Sequence, residues 1–371
     1  MKKHEPSLKR LVVKIGTSVL VDDDKKISTD KIKAIAKQVS AARDLNIEVI
    51  IVSSGAVACG METMGLTKKP KEIAVKQALA SIGQVLLMKM YRENFEKINM
   101  KVGQVLLTHE DIKNKTKCIN LMNTLDALLK MGIVPVINEN DALSFTEIKF
   151  GDNDNLSALI AQIADADLLL LLSDVEGLFE RDPNDDPNAR MIPVVKRIDK
   201  EIEATATETG SEKSVGGMIS KLEAAKKAGY YGIPTRVVLG TRENIILKVI
   251  EGQSVGTLFL PIRKLARKKW WTAFAFKPKG TLWIDKGAEQ AVVHNGKSLL
   301  PSGIVKSDGH FTSGECIEMK NPEGKVIAKG ITNYSSSDVE RIKGLKSVDI
   351  ERKLGYKYTE EIIHRDNMVV I

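Results

Sequence analysis

Cysteine and histidine are scarce in this sequence, and neither forms a cluster. The three cysteines among 371 residues, Cys59, Cys118 and Cys316, are scattered, odd in number and without the close spacing of a metal site. Such usage is typical of a reducing, cytoplasmic compartment. The five histidines form no ligand cluster and no pairing with a nucleophile. A mechanism that depends on a histidine base is therefore not indicated.

Long apolar runs are also lacking. No run approaches the roughly 20 apolar residues that a membrane-spanning helix needs, and residues 1–10 are charged, without the apolar core of a targeting segment. We therefore expect a cytoplasmic protein with no membrane partner. Aromatic residues make up only 5% of the chain and hydrophobic residues 43%, so the core should be mainly aliphatic. The length is sufficient for two domains.

The chain is basic, with a formal net charge of +8 and a pI near 9.1. An excess of positive charge favours anionic partners such as nucleotides, acidic metabolites or RNA. The alternative is ordinary solubility, because 28% charged residues is close to the average for globular proteins.

Near-continuous apolar strands alternate with helical patterns up to residue 260. This alternation predicts an α/β fold with a mostly parallel sheet that is covered by helices on both faces. The predicted strands are 11–15, 48–52, 102–107, 133–137, 168–172 and 235–239. The predicted helices are 29–45, a stretch within 69–97, 121–131, 156–163 with Asn155 as its N-cap, and 220–228.

The pattern changes after Pro261. A basic run, 263–269, precedes Trp270 and Trp271, and short strand candidates follow at 282–284, 291–293, 316–319 and 326–328. We predict a domain over 1–260, a basic linker over 261–278, a small all-β module over 279–356 and a tail over 357–371. The basic and aromatic run could also contact RNA by charge and base stacking, although a linker is the simpler interpretation.

Polar clusters follow several predicted strands directly. In open parallel sheets, ligands bind beyond the carboxyl ends of the strands. Asn and Asp side chains in such places are either turn residues or ligands for a metal or a polar amino acid. The clusters at strand ends are Lys14 to Ser18 with Gly16, Ser53 to Ala56, Asn138 to Asp141, and Ser173 with Asp174. A further cluster, Gly151 to Asn155, leads into the predicted helix at 156–163.

A glycine pair feeds a further predicted helix at Gly216 and Gly217, with Lys221 one turn later. Glycine amides and a helix N-terminus can hold a phosphate group. The sequence contains neither a Walker A motif nor G-x-G-x-x-G after its first strand, which argues against a P-loop enzyme and a Rossmann domain. A carboxylate acceptor, with a pKa of about 4, needs no histidine base at neutral pH.

Together these motifs closely resemble the amino acid kinase family, and in particular its glutamate-phosphorylating members. The residues that carry the resemblance are the Lys14–Ser18 and Ser54–Ala56 segments, the tandem Asn138–Asp141 and Gly151–Asn155 strings, and the Gly-Gly-Met at 216–218. The C-terminal module is similar to a PUA domain, so the resemblance covers nearly the whole chain.

The resemblance implies a three-layer αβα sandwich and phosphorylation of the γ-carboxylate of L-glutamate with ATP and Mg²⁺. This reaction is the first step of proline biosynthesis. Proline as a feedback inhibitor, a homo-oligomer and glutamyl phosphate reductase as a possible partner are further implications. Alternatives are a related kinase for aspartate, acetylglutamate, carbamate or a nucleotide, and an RNA-binding or RNA-modifying protein that acts through the PUA-like module.

Carried over to this sequence, the resemblance assigns Lys14, Lys221 and Asp154 to catalysis. Lys14 would contact the phosphates of ATP, Lys221 would steady the transferring phosphoryl group, and Asp154 would fix both ammonium groups. The residues that would bind glutamate are Ser54, Asp141 and Asn153. The residues that would bind ATP are Lys14, Gly16, Ser173, Asp174, Val215, Gly216, Gly217, Met218, Ile219, Ser220 and Lys221.

Two positions depart from the pattern of the family, and no residue is assigned as a metal ligand. Ser173 replaces a common threonine and keeps the hydroxyl group. Val215 replaces the threonine that usually precedes Gly-Gly-Met, and it removes a hydroxyl group. If that hydroxyl group contacts a phosphate in relatives, nucleotide affinity should be weaker here.

Overall fold

The computed structural model describes residues 8–143, 152–208, 215–261 and 278–370, apart from residues 23, 25 and 184. The chain divides into two compact units, Met1–Lys264 and Leu265–Ile371. Nearly all of the predicted linker, with its basic run and both tryptophans, lies outside the described residues.

The first unit is an α/β unit. Its described strands are β1 (Arg10–Ile15), β2 (Glu48–Val52), β3 (Lys101–Leu107), β4 (Ile133–Glu139), β5 (Leu168–Ser173), β6 (Val194–Val195), β7 (Thr235–Leu239) and β8 (Thr257–Phe259). Its described helices are α1 (Thr17–Leu20), α2 (Thr29–Asp44), α3 (Ala56–Thr63), α4 (Ile73–Glu96), α5 (His109–Lys113), α6 (Lys115–Lys130), α7 (Asp152–Ile163), α8 (Lys200–Glu208), α9 (Val215–Tyr230) and α10 (Ile245–Ile250).

These strands form one mostly parallel sheet, as predicted. Within the described part of the chain the sheet has eight strands in the order β3-β4-β2-β1-β5-β7-β8-β6. All neighbouring pairs in it are parallel except β7 with β8. The carboxyl ends of β1, β2, β4 and β5 therefore meet at one edge of the sheet, as the polar clusters require.

Alternation along β1 decides which side chains face which helix layer. Leu11, Val13 and Ile15 are buried in the core that α2, α3, α4 and α10 cover. Lys14 points to the opposite face, where α7 packs on β1. One face of β1 thus packs in the core, and the other face places the ammonium group of Lys14 beside α7.

Three helices begin earlier than predicted: α6 begins at Lys115 and not at residue 121, and the early starts of α7 and α9 make two further sequence assignments wrong. Helix α7 begins at Asp152, which places Asn155 inside the first turn and not at the N-cap. Helix α9 begins at Val215, so Gly216 and Gly217 belong to its first turn and not to a preceding loop. The first turn of a helix has free N–H groups and favours acidic residues, which fits Asp152 and Asp154 at the start of α7.

Helix α4 is long and apolar enough to cross a membrane by length and composition alone. The core helix of a globular protein passes the same test. In this fold Leu87, Tyr91 and Phe95 of α4 are completely buried in the core of the first unit.

The second unit contains a separate sheet with short helices around it. Its described strands are β9 (Gly280–Ile284), β10 (Ile304–Gly309), β11 (Cys316–Lys320), β12 (Val326–Ile331) and β13 (Met368–Val370), in the order β10-β9-β11-β12-β13. Its described α-helices are α11 (Lys286–Glu289), α12 (Ser336–Ile342) and α13 (Ile350–Leu354).

Two predictions for this unit are wrong. Residues 291–293 lie in a π-helical turn, Gln290–His294, that continues α11. A short apolar run cannot be assigned to helix or strand by periodicity alone. The segment 357–371 is not a separate tail, because β13 pairs with β12 and Ile362 and Ile363 are buried in the core of the unit.

Helices α3 and α4 approach each other closely at two glycines. A Cβ atom on Gly60 would lie 2.0 Å from the carbonyl oxygen of Leu79, and one on Gly83 would lie 1.8 Å from that of Ala56. Both distances are far below any real contact of a Cβ atom. Because α3 follows the carboxyl end of β2 directly, this packing also fixes the backbone around Ser54 and Gly55.

We predict that Gly83→Ala lowers the free energy of unfolding by about 1–3 kcal/mol, because the added methyl group overpacks the contact. Alanine at an unhindered helix position would instead stabilise by about 0.5–1 kcal/mol relative to glycine. Urea denaturation measures the difference. Ser81→Ala, at an exposed position of α4, is the control and should stay within about 0.5 kcal/mol. A Gly83→Ala variant as stable as the parent would contradict this packing.

Candidate active site

A buried ion cluster lies at the carboxyl edge of the sheet. Lys14 Nζ is 2.5 Å from Asp154 Oδ1, and Lys221 Nζ is 3.8 Å from Asp154 Oδ2. The Asp154 side chain is 1% exposed, and the two lysines are 9% and 8% exposed. Strand β1, the first turn of α7 and the second turn of α9 thus bring together three residues that the sequence places far apart.

Two further hydrogen bonds hold this cluster. Ser220 Oγ lies 2.7 Å from Asp154 Oδ2 and 3.0 Å from the carbonyl oxygen of Gly217, to which its one proton can be donated alternately. Lys221 Nζ donates to the same carbonyl oxygen at 2.8 Å. Ser220 was predicted to bind nucleotide. In this structure its hydroxyl group instead forms hydrogen bonds within the ion cluster.

Burial and charge act in opposite directions on these groups. Burial would raise the pKa of Asp154, but the positive charges of Lys14 and Lys221, with hydrogen bonds from Lys14 and Ser220, hold that pKa below its ordinary value. Burial lowers the pKa of Lys221, and the carboxylate of Asp154 only partly opposes this, while Lys14 adds to it. The carboxylate is thus firmly ionised, and Lys221 loses its proton more readily than an exposed lysine.

The cluster carries two positive charges against one negative charge. In a site of low accessibility, an excess positive charge strongly favours an anion beside it. The arrangement is suited to a phosphoryl group, whose oxygens could approach both ammonium groups at once.

We predict that Asp154→Asn lowers the free energy of unfolding by about 3–5 kcal/mol, since it leaves two buried ammonium groups without their counter-ion. Asp165→Asn, at an exposed carboxylate just after α7, should change it by no more than about 0.5 kcal/mol. Thermal or urea denaturation of both variants provides the comparison. Equal stability of the two variants would show that the ion cluster does not hold α7 and α9 on the sheet.

A second group of polar side chains surrounds Asn153, one residue before Asp154. Asn153 Nδ2 lies 2.9 Å from the carbonyl oxygen of Ser53, 3.1 Å from Ser54 Oγ and 3.0 Å from Asn138 Oδ1. All three partners can accept a hydrogen bond, so they fix the orientation of the amide. Its Oδ1 atom is buried and accepts no hydrogen bond within the described residues. An unsatisfied buried acceptor is costly, and the ammonium group of a ligand would satisfy it.

Core residues that the sequence analysis assigned to no role support this group. Asn138 Nδ2 donates to Gln84 Oε1 on α4 at 2.7 Å, and the backbone N–H of Glu139 donates to Asn138 Oδ1 at 3.0 Å. Ser53 Oγ is 2.9 Å from the hydroxyl group of the fully buried Tyr91. The pairs join residues distant in the chain, and no local pattern in the sequence indicates them.

The third predicted glutamate residue, Asp141, lies in the wall of a cavity of about 280 Å³. Helix α4, strand β3 and the segment after β4 form this cavity. Glu139 reaches its wall and is also 3.1 Å from His109 Nδ1. The segment 144–151, which follows Asp141, lies outside the described residues.

The residues predicted to bind nucleotide lie at two places on the same edge. Ser173 ends β5 and donates its hydroxyl proton to Asp174 Oδ1 at 3.0 Å. Gly16, after β1, donates its N–H to the carbonyl oxygen of Leu172 on β5 at 3.1 Å. The second place is formed by the first two turns of α9, which contain Val215, Gly216, Gly217, Met218, Ile219, Ser220 and Lys221. The charge of Asp174 acts on Lys221, which links the two places electrostatically.

The sequence matches known families over both units. Residues 9–239 match the Amino acid kinase family, and residues 280–354 match the PUA domain. The chain belongs to the amino acid kinase family, whose members are phosphotransferases. The family resemblance and the αβα fold class predicted from the sequence are confirmed.

Among its relatives, the chain is similar to proteins named glutamate 5-kinase. It is 46% identical to that of Pelobacter propionicus and 47% identical to that of Geobacter metallireducens, over 98% of this chain and 98% of each relative. Among solved structures it is similar to the UMP kinase from Bacillus anthracis, with 19% identity and a TM-score of 0.48, over 70% of this chain and 98% of the other.

Proposed function

We propose that the protein transfers the γ-phosphoryl group of ATP to the γ-carboxylate of L-glutamate, as the first step of proline biosynthesis. The observation that carries this proposal is the buried cluster of Lys14, Asp154 and Lys221 directly beside the oriented amide of Asn153. The ion cluster is suited to a phosphoryl group, and the amide of Asn153 is suited to an amino acid. The name shared by the relatives supports the same reaction.

The nucleotide would bind along α9 and the ends of β1 and β5. Backbone N–H groups in the first turn of α9 suit phosphate oxygens, and Lys14 and Lys221 supply the positive charge. Gly16 and Ser173 with Asp174 would complete this side of the site. The side chain of Val215 would add no hydroxyl group to it.

A magnesium ion fits this site only as a companion of the phosphates. Mg²⁺ is usually held by one or two carboxylates plus phosphates of the substrate. The described residues contain no group of three or more His, Cys, Asp or Glu side chains that could hold a metal. The exposed carboxylate of Asp174 would be the protein ligand, and the ion would offset the negative charge of ATP.

Glutamate would lie between Asn153 and Asp141. Asn153 Oδ1 and the Asp141 carboxylate are both acceptors suited to its ammonium group, and Ser54 Oγ offers a hydroxyl group close by. The γ-carboxylate is already ionised at neutral pH. One of its oxygens forms the new bond to the γ-phosphorus, the bond from that phosphorus to the β–γ bridging oxygen breaks, and ADP leaves with the electron pair.

The two lysines would act on the charge of the transferring group. Phosphoryl transfer depends on positioning and on neutralisation of charge more than on proton abstraction. Asp154 would keep both ammonium groups at fixed points, so that no rearrangement is needed during the reaction. The acyl phosphate product is labile, which makes prompt use by a reductase such as glutamyl phosphate reductase a reasonable next step. A homo-oligomer and a cytoplasmic location remain predictions.

We predict that the purified protein forms γ-glutamyl hydroxamate from L-glutamate, ATP, Mg²⁺ and hydroxylamine, and that L-aspartate is a far poorer acceptor. A chain one methylene shorter misplaces the carboxylate, and a displacement of about 1 Å can cost on the order of 100-fold in rate. A panel with acetylglutamate, carbamate and UMP, assayed by ADP release because hydroxylamine does not trap UDP, extends the comparison to related kinases. Equal yields from aspartate and glutamate would contradict the assignment.

We predict that substitutions of the two lysines mainly affect kcat, whereas substitutions of Asp141 and Asn153 mainly affect the KM for glutamate. Lys14→Ala and Lys221→Ala should lower kcat by about 100-fold or more with little change in the KM for glutamate, because they act on charge that develops in the transition state. Asp141→Ala and Asn153→Ala should chiefly raise the KM for glutamate. The reverse division would show that the two sets of roles are exchanged.

We also propose feedback inhibition by L-proline at the amino-acid site. Proline shares the α-carboxylate and the α-nitrogen of glutamate, so Asn153 and Asp141 could accept hydrogen bonds from either. Proline should therefore raise the apparent KM for glutamate, and substitutions within the segment from Asp141 to residue 151 should relieve its effect. Rates that do not change in millimolar proline would remove this regulation from the proposal.

A further inference from the structure

One hydrogen-bonded chain in the first unit fixes the direction of three amide side chains. It runs from Asn153 through Asn138 to Gln84, with distances of 3.0 Å and 2.7 Å. Asn and Gln amides have a donor end and an acceptor end, so each link determines the orientation of the next. Two backbone groups that contact Asn153 and Asn138 determine which end of each amide is the oxygen and which is the nitrogen.

The first backbone group is the carbonyl oxygen of Ser53, which can only accept, so Asn153 must present its Nδ2 to it. The second is the N–H of Glu139, which can only donate, so Asn138 must present its Oδ1 to it. Asn138 is 2% exposed, so its Nδ2 needs an acceptor within the protein. Gln84 supplies its Oε1 for this purpose.

The orientation of Gln84 has a consequence for the cavity beside it. Gln84 lines the cavity of about 280 Å³ that also contains Asp141 and Asn140 in its wall. With Oε1 bound to Asn138, the two N–H donors of Nε2 are the polar groups that Gln84 has left for this cavity. Ser81, another lining residue, donates its hydroxyl proton to the carbonyl oxygen of Gln77 instead.

A zwitterionic amino acid needs both an acceptor for its ammonium group and a donor for its α-carboxylate. The three residues assigned to glutamate supply a hydroxyl group, a carboxylate and an amide whose Nδ2 is already used within the protein. They therefore supply few hydrogen-bond donors for the α-carboxylate of glutamate. Gln84 presents a donor of fixed direction in the cavity wall that Asp141 shares.

We propose that Gln84 is a substrate-binding residue that recognises the α-carboxylate of the amino-acid acceptor with Nε2 while its Oε1 holds Asn138 and thereby Asn153 in place. This inference rests on the proposed function and adds the group that would distinguish a free α-carboxylate from its amide. A purely structural glutamine would influence stability but not that distinction.

The test compares L-glutamate with its α-amide, which keeps the γ-carboxylate but replaces the α-carboxylate with a carboxamide. Gln84→Glu retains an oxygen acceptor for Asn138 and replaces the donor with a second acceptor. We expect it to raise the KM for glutamate at least about tenfold, because a charge-assisted hydrogen bond becomes a repulsion. The ratio of kcat/KM for glutamate to that for the α-amide should fall at least about tenfold, since the carboxamide can donate to Glu at this position.

Two further variants make the result decisive. Gln104→Glu places the same charge in another part of the cavity wall, from strand β3, and should lower the ratio by a clearly smaller factor than Gln84→Glu, because it repels the α-carboxylate without replacing its donor. Gln84→Leu removes the donor without adding charge and should lower the ratio by a smaller factor. It also carries the test if Gln84→Glu fails to fold, as thermal denaturation would show.

The outcomes separate this inference from the proposed function. A parent protein that makes no hydroxamate from glutamate would overturn the proposed function itself. A parent that is active, with a ratio that neither Gln84 variant changes or that Gln104→Glu changes equally, would overturn only the role of Gln84. A lower ratio in both Gln84 variants, with a clearly smaller change in Gln104→Glu than in Gln84→Glu, would establish it.

Discussion

The buried carboxylate of Asp154 is the group on which the rest of the site depends, because it lets two lysines share one small volume. Without it, the ammonium groups of Lys14 and Lys221 would repel each other in a medium that screens charge poorly. Each member comes from a different element, β1, α7 or α9. The attraction that holds these elements together at the carboxyl edge of the sheet therefore also forms the proposed phosphoryl site, so the fold and the proposed chemistry depend on the same contacts.

The amide of Asn153, next to this cluster, carries no charge, and its contribution is a hydrogen-bond acceptor held in a fixed orientation. Asn153 lies in the same first turn of α7 as Asp154, so the positions of the two residues are tied to each other. Its contacts with Ser53, Ser54 and Asn138 leave one acceptor for a ligand. Because Asn153 and Asp154 are adjacent in the sequence, the proposed amino-acid site and the proposed phosphoryl site lie side by side, as transfer between two bound substrates requires.

Sequence reasoning predicted the sheet and the strand-end clusters because apolar strands and polar turns leave local patterns. It placed Lys14 correctly at a strand end but could not place the contact of Asn138 with Gln84, since 54 residues separate the partners. It also set the starts of α7 and α9 too late, because Asp, Asn and Gly read as turn residues when the tertiary contacts of the first helical turn are unknown. The strand predicted at 291–293 is wrong because its β-branched residues favour a strand locally. In the structure these residues continue a helix that Asp285 caps.

The central claim is that a carboxylate oxygen of glutamate attacks the γ-phosphorus of ATP at this ion cluster. Glutamate labelled with oxygen-18 in its γ-carboxylate tests it directly. When hydroxylamine attacks the acyl carbon of the product, the phosphate should leave with the bridging oxygen that came from glutamate. The account predicts one labelled oxygen in each phosphate released in a glutamate-dependent manner. Phosphate without label would show that the phosphoryl group went to water or to another acceptor, and it would contradict the account.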